Sequence, residues 1–103
     1  MTLIDLTATS RFSSDKPYQE ILYDSPNLRV VAFNFQAGQE LPVHSHKADS
    51  EVALLVLEGE GKFLGDHELP AQTGTLLIIP VSTPHGLKAH TALRLLVYIS
   101  PTL

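Results

Sequence analysis

Proline or glycine recurs at positions 17, 26, 38, 42, 59, 61, 65, 70, 74, 80, 84, 86 and 101, and between 59 and 86 no interval exceeds the five residues 75–79. In a helix interior a glycine costs about 1 kcal/mol and a proline about 3 kcal/mol. That stretch of the chain therefore has no room for a helix of ordinary length. The longest gap, after Pro42, opens with the polar stretch HSHKADS, and a helix over the EVALLVLE that follows is too short and is closed by EGEG. Between the marks sit runs of Val, Ile, Leu, Phe and Tyr, which suit a pleated, half-buried surface. The pattern is that of an all-β protein.

Four stretches carry the strand expectations. LRVVAFNFQAG (28–38) alternates, with Val31, Phe33, Phe35 and Ala37 on one face and Asn34 and Gln36 on the other. EVALLVLEGEGKFLGDHEL (51–69) reads as three strands separated by turns at 58–61 and 65–66. TLLIIP (75–80) is continuously apolar, as expected of a strand covered on both faces, and ALRLLVYIS (92–100) is the last long strand. Short strands at regular spacing point to a sandwich or barrel. With 103 residues there is room for one domain, 1–103, with residues 1–15 as an N-terminal extension that could lend Leu3–Leu6 as a strand to a neighbouring subunit.

The bulk numbers exclude several classes. Seven Lys and Arg are scattered without clustering and the net charge is −4, so no nucleic-acid footprint is present. No apolar run approaches the roughly 20 residues of a membrane span. The N-terminus MTLIDLTATSRF lacks the basic start and apolar stretch of a signal peptide, and there is no cysteine. The expectation is a soluble, cytoplasmic protein. Sheet edges and apolar faces that one small barrel leaves uncovered predict a homodimer, paired through Leu3–Leu6 or the face of 92–99.

The chemistry-bearing residues are concentrated in HSHKADSE (44–51). If PVHSH is extended, as Pro42 favours, His44 and His46 project side by side, since residues i and i+2 of a strand share a face. Imidazole is the commonest metal-ligating side chain near neutral pH, and a third ligand would complete a facial set with open positions. His85, in PVSTPHGL at an expected strand start, is that candidate, and Glu51 is a possible fourth ligand or acid/base. His67 in GDHE and His90 near another turn read as surface histidines. Asp49 and Ser50 read as solvated, with Asp49 the substitute ligand if Glu51 points away. Phe33 and Phe35 are the expected pocket-lining residues, and Gln36 and Thr83 the nearest candidates to orient the imidazoles.

The stretch GQELPVHSHKADSEVALLVLEGEG resembles the first motif of the cupin superfamily, G(X)5HXH(X)3,4E(X)6G, through Gly38, His44, His46 and Glu51. GTLLIIPVSTPH resembles the second, G(X)5PXG(X)2H(X)3N, through Gly74, Pro80 and His85, so that the likeness covers about 28–100. Two positions of the second motif depart: Ser82 stands where Gly is usual and Ala89 where Asn is usual. The first motif departs in spacing. Seven residues, not six, separate Glu51 from Gly59, so counting back from Gly59 puts the carboxylate position on Val52. A one-residue slip in a strand turns the side chain to the other face, and Glu51 faces the interior only if a bulge lies between His46 and Val52.

The resemblance implies a double-stranded β-helix (jelly-roll) barrel holding one divalent transition metal (Fe, Mn, Ni, Cu or Zn) on His44, His46 and His85. It implies a metalloenzyme acting on a small oxygen-bearing organic molecule, by dioxygenase-like or Lewis-acid chemistry. A non-catalytic small-molecule or metal-binding sensory module is the alternative, and a metal-free barrel a third reading. Fold alone does not choose among them.

Overall fold

The computed structural model describes all 103 residues. A single 3-10 turn, Leu6–Thr9, precedes nine strands: β1 (Tyr18–Asp24), β2 (Arg29–Phe35), β3 (Glu40–His44), β4 (Glu51–Glu58), β5 (Glu60–Gly65), β6 (Leu69–Gln72), β7 (Leu76–Pro80), β8 (His85–Ala89) and β9 (Leu93–Ser100). They form two antiparallel sheets, one ordered β1-β2-β9-β4-β7 and the other β3-β8-β5-β6. This is the expected all-β jelly roll. No helix is long and apolar enough to cross a membrane.

Register stacks the interior into layers. In the first sheet, Arg29, Ile99, Val52 and Ile79 lie opposite one another across four strands, and Val31, Val97, Leu54 and Leu77 form the next row in. Phe33, Leu95 and Val56 follow below. Facing them, the second sheet contributes the row His44, His85, Gly65 and then Leu41, Leu87, Phe63. Phe35, Val56, Leu87, Leu93 and Leu95 have no exposed surface at all and anchor the core. The histidines therefore occupy one layer, beside a core that is closed with hydrocarbon.

The outer face of β2 and β9 is buried too, because the chain's own N-terminus covers it. Asn34 donates from Nδ2 to the carbonyls of Thr9 and Arg11, and the Arg94 guanidinium reaches the Leu6 carbonyl and, at 3.1 Å, the Thr9 hydroxyl. Leu3–Asp5 form no strand; the 3-10 turn is capped by Asp5, whose carboxylate accepts from the Thr7 amide.

Three expectations need correction. The 58–61 turn does not join neighbouring strands: β4 pairs with β7 and β9 while β5 pairs with β6 and β8, so the chain crosses there between sheets. Gly59 makes that crossing possible, with φ +102° and a would-be Cβ only 2.2 Å from the Ala92 carbonyl oxygen. TLLIIP is not covered on both faces: β7 is an edge strand, and Leu76 and Ile78 point outward at 55% and 57% exposure. Ser50 is buried rather than solvated, its hydroxyl donating to the Pro101 carbonyl.

Candidate metal centre

β3 is an edge strand, and its pairing with β8 slips between Leu41 and His44, so that two residues, Pro42 and Val43, stand opposite the single Gly86. In a regular strand Leu41 and His44, three apart, would face opposite ways. The extra residue turns both toward the interior. Gly86 is what admits the bulge: a Cβ there would sit 2.5 Å from the Leu41 carbonyl oxygen and 3.0 Å from the Val43 nitrogen. Pro42 loses nothing at this place, since a proline is tolerated at bulges and edges where no ladder donor is needed.

The bulge sets His44 directly across from His85. Their ring centroids are 4.4 Å apart, and those of His44 and His46 5.4 Å apart in an edge-on arrangement. His46 lies just beyond β3, fixed by its amide donating to the Val81 carbonyl at 3.0 Å. His85 begins β8 and is buried. His44 Nδ1 donates to the Pro42 carbonyl at 2.9 Å, and His85 Nδ1 to the Thr83 carbonyl at 2.7 Å. A carbonyl oxygen can only accept, so both Nδ1 atoms carry a proton, and in the neutral ring it is Nε2 that keeps the free lone pair. A carbonyl that fixes the tautomer and ring orientation in this way is the usual support of a metal-ligating histidine. Burial lowers the His85 pKa from its ordinary 6.5; the hydrogen bond to Thr83 opposes this, and the neighbouring His44 and His46 add to it. His85 is therefore neutral, and able to coordinate, at neutral pH. As placed, no three of the His, Asp or Glu side chains have donor atoms gathered closely enough to hold an ion. The residue types and the two Nδ1 hydrogen bonds suit a metal, while the three rings as placed do not converge on one point.

All three histidines line one cavity of about 220 Å³, ten of whose fifteen lining residues are apolar. Phe33 lines it, as expected; Phe35 does not, being wholly buried one layer deeper. Glu51 is not brought to the histidines. It is exposed at the start of β4, while Val52, its neighbour, is 2% exposed and lines the cavity. The β4 register runs unbroken from Glu51 to Val56 against β9, and from Glu51 to Leu55 against β7, so no bulge returns Glu51 to the interior. Asp49, His67 and His90 do not line this cavity, and His67 and His90 are exposed. Of the two orienting candidates Thr83 takes part, through its backbone carbonyl, while Gln36 is exposed and lines no part of the cavity. The sequence reading missed Gln19 and Arg29, which complete the polar lining. Gln19 follows from β1, whose pairing with β2 puts Gln19 opposite Phe33 and Ile21 opposite Val31. YQEILYD has no regular apolar alternation to reveal this in the sequence. Arg29 opens β2 two residues before Val31, on the same face.

The family model of the cupin domain matches residues 31–99. Among solved structures, an RmlC-like cupin protein from Desulfovibrio desulfuricans is 44% identical, with a TM-score of 0.95 over 100% of this chain and 99% of that one. The protein TT1209 from Thermus thermophilus is 26% identical, with a TM-score of 0.89 over 98% of both chains. KdgF from Halomonas sp., at 19% identity and a TM-score of 0.80 over 90% of this chain and 87% of that one, shares the fold. No protein of curated function matches the sequence. A bulged edge strand bearing His-x-His, a third histidine opening the strand across from it, and a domain match that spans most of the barrel lead to one conclusion: the chain is a small single-domain member of the cupin family.

Proposed function

We propose that this cupin holds one divalent transition metal through His44, His46 and His85, and binds a small oxygen-bearing organic molecule in the adjoining cavity. The observation that carries the reading is the pair of backbone carbonyls, of Pro42 and Thr83, that commit the Nε2 atoms of His44 and His85 to a role other than donating a proton. A bound ion would supply Lewis acidity toward a ligand oxygen, or oxygen chemistry if it is iron or copper. The chain supplies the rest. Val31, Phe33, Leu54 and Val97 form a hydrocarbon wall that takes up an apolar body beside the histidines. No carboxylate lines the cavity, so there is no acidic side chain to carry a proton to or from the ligand. That favours Lewis-acid chemistry or ligand binding over proton-coupled oxygen chemistry, and it keeps the non-catalytic binding module as the second reading.

The test is elemental analysis of tag-free, chelator-free protein beside a His44→Ala, His46→Ala double variant. The expected result is about one equivalent of a transition metal, lost in the variant. Protein that contains no metal and takes up none of Fe, Mn, Ni, Cu or Zn would overturn the proposal.

A further inference from the structure

We infer that the ligand of this site is an anion, a small monocarboxylate with an apolar body, because the chain itself leaves the histidine cluster without negative charge. This rests on the metal reading above and adds the class of molecule that completes it. Val52 is the residue that decides. It sits in the same row of the first sheet as Ile99 and Ile79, between them, and lines the cavity with His44, His46 and His85. The carboxylate beside it in sequence, Glu51, points away to solvent.

The five polar residues of the cavity are Gln19, Arg29 and the three histidines, and not one is acidic. Three neutral imidazoles around a divalent cation leave two positive charges against a wall of Val, Leu, Ile and Phe. Charge in such surroundings demands a partner, because the desolvation cost of an unpaired ion is large. Arg29 also lines the cavity, but its charge is balanced by Asp24, whose two oxygens hold its Nε and Nη2 at 3.1 and 3.2 Å. An anion entering the cavity thus has one place for its charge, the histidine end. The wall selects the remainder of the molecule. A cavity of about 220 Å³ lined by Val31, Phe33, Leu54 and Val97 suits a ring or branched chain of a few carbons, and its hydrocarbon wall offers few partners to a polyhydroxylated body. By reciprocity of linked equilibria, an anion that completes the site tightens the metal by the same factor as the metal tightens the anion.

Benzoate, and benzyl alcohol as its uncharged counterpart of similar shape, probe this directly. Zn²⁺ and Co²⁺ are titrated calorimetrically into metal-free protein with and without each compound, and Co²⁺ absorption reports the ligand field. The expected result is a metal Kd at least tenfold tighter with benzoate, unchanged with benzyl alcohol, and a Co²⁺ spectrum that shifts only with benzoate. Val52→Glu is expected to bind metal more tightly than the parent and to lose the benzoate effect. The parent's benzoate against benzyl alcohol comparison decides the matter even if that variant does not fold. Metal binding that benzoate leaves unchanged would overturn the anion inference alone. So would equal tightening by benzyl alcohol, or benzoate binding equally well to metal-free protein. Absence of any metal binding would overturn the metal reading beneath it.

Discussion

His85 carries the most constrained chemistry of any side chain in the molecule. It is 5% exposed, its Nδ1 proton is held by Thr83, and His44 crowds its ring at 4.4 Å. Its folded pKa lies below the unfolded value of 6.5. Above 6.5 both states leave it neutral and it adds no pH dependence. As pH falls through 6.5, the unfolded chain takes up a proton that the folded chain resists, so stability drops until the lowered folded pKa has also been passed. Urea midpoints of chelator-treated protein should therefore fall as the pH is taken from above 6.5 to below it, and His85→Gln should flatten that part of the profile. An identical slope in the variant would assign it elsewhere. Glu51 and Val52 show the limit of reading single residues. Their order is plain in the sequence, yet which of them faces the histidines depends on whether β4 is bulged. Turn spacing left both open, and burial decides: Val52 is 2% exposed and Glu51 is exposed, while the register of β4 against β9 shifts further on, between Val56 and Glu58.

Among the elements, β3 and β8 form the device that makes the site, and the device is the bulge at Pro42–Val43 over Gly86. Gly86→Ala would push a methyl group into the Leu41 carbonyl. Overpacking of this kind costs about 1–3 kcal/mol, and here the backbone that must yield is the one that aims His44. The variant is expected to unfold at lower urea concentration and to bind metal more weakly than the parent by about an order of magnitude, as read by calorimetry. Unchanged metal affinity in a destabilised variant would separate the bulge from the site. Most strands were legible because Pro and Gly bound them: β2, β4, β5, β7 and β9 fall within the predicted stretches, and β8 begins at the expected His85. β1 was not, because its apolar residues are spaced by glutamine and glutamate and its Ile21 is half exposed at the cavity wall. The pairing partners were not legible either. The turn at 58–61 does not say whether the strands on either side pair, and tertiary packing sends β4 and β5 to different sheets.

At the scale of the whole molecule the outer face of the five-stranded sheet is treated differently along its width. Over β2 and β9 the N-terminal residues lie as a cover, pinned through Asn34 and Arg94. Over β4 and β7 nothing lies, and the outward row of Leu76 and Ile78 meets solvent beside Leu55. We propose that a second copy of the chain covers this row, giving the homodimer expected from the sequence through β7 and β4 rather than through Leu3–Leu6. Light scattering at micromolar concentration is expected to return a dimer, and Ile78→Lys a monomer with the fold retained by circular dichroism. A monomeric parent protein would end the idea. The strand order carries a further consequence, for the chain as it is made. β9 is the ninth strand to emerge and yet stands third in a five-stranded sheet, between β2 and β4. Until it arrives, β1 with β2, and β4 with β7, are two separate ribbons whose apolar edges have no partner. β8, which brings His85 to His44, is the strand just before it. Neither the barrel nor its histidine cluster can form before β8 and β9 have been made. An ion held as proposed above would therefore join a barrel whose eighth and ninth strands are already made.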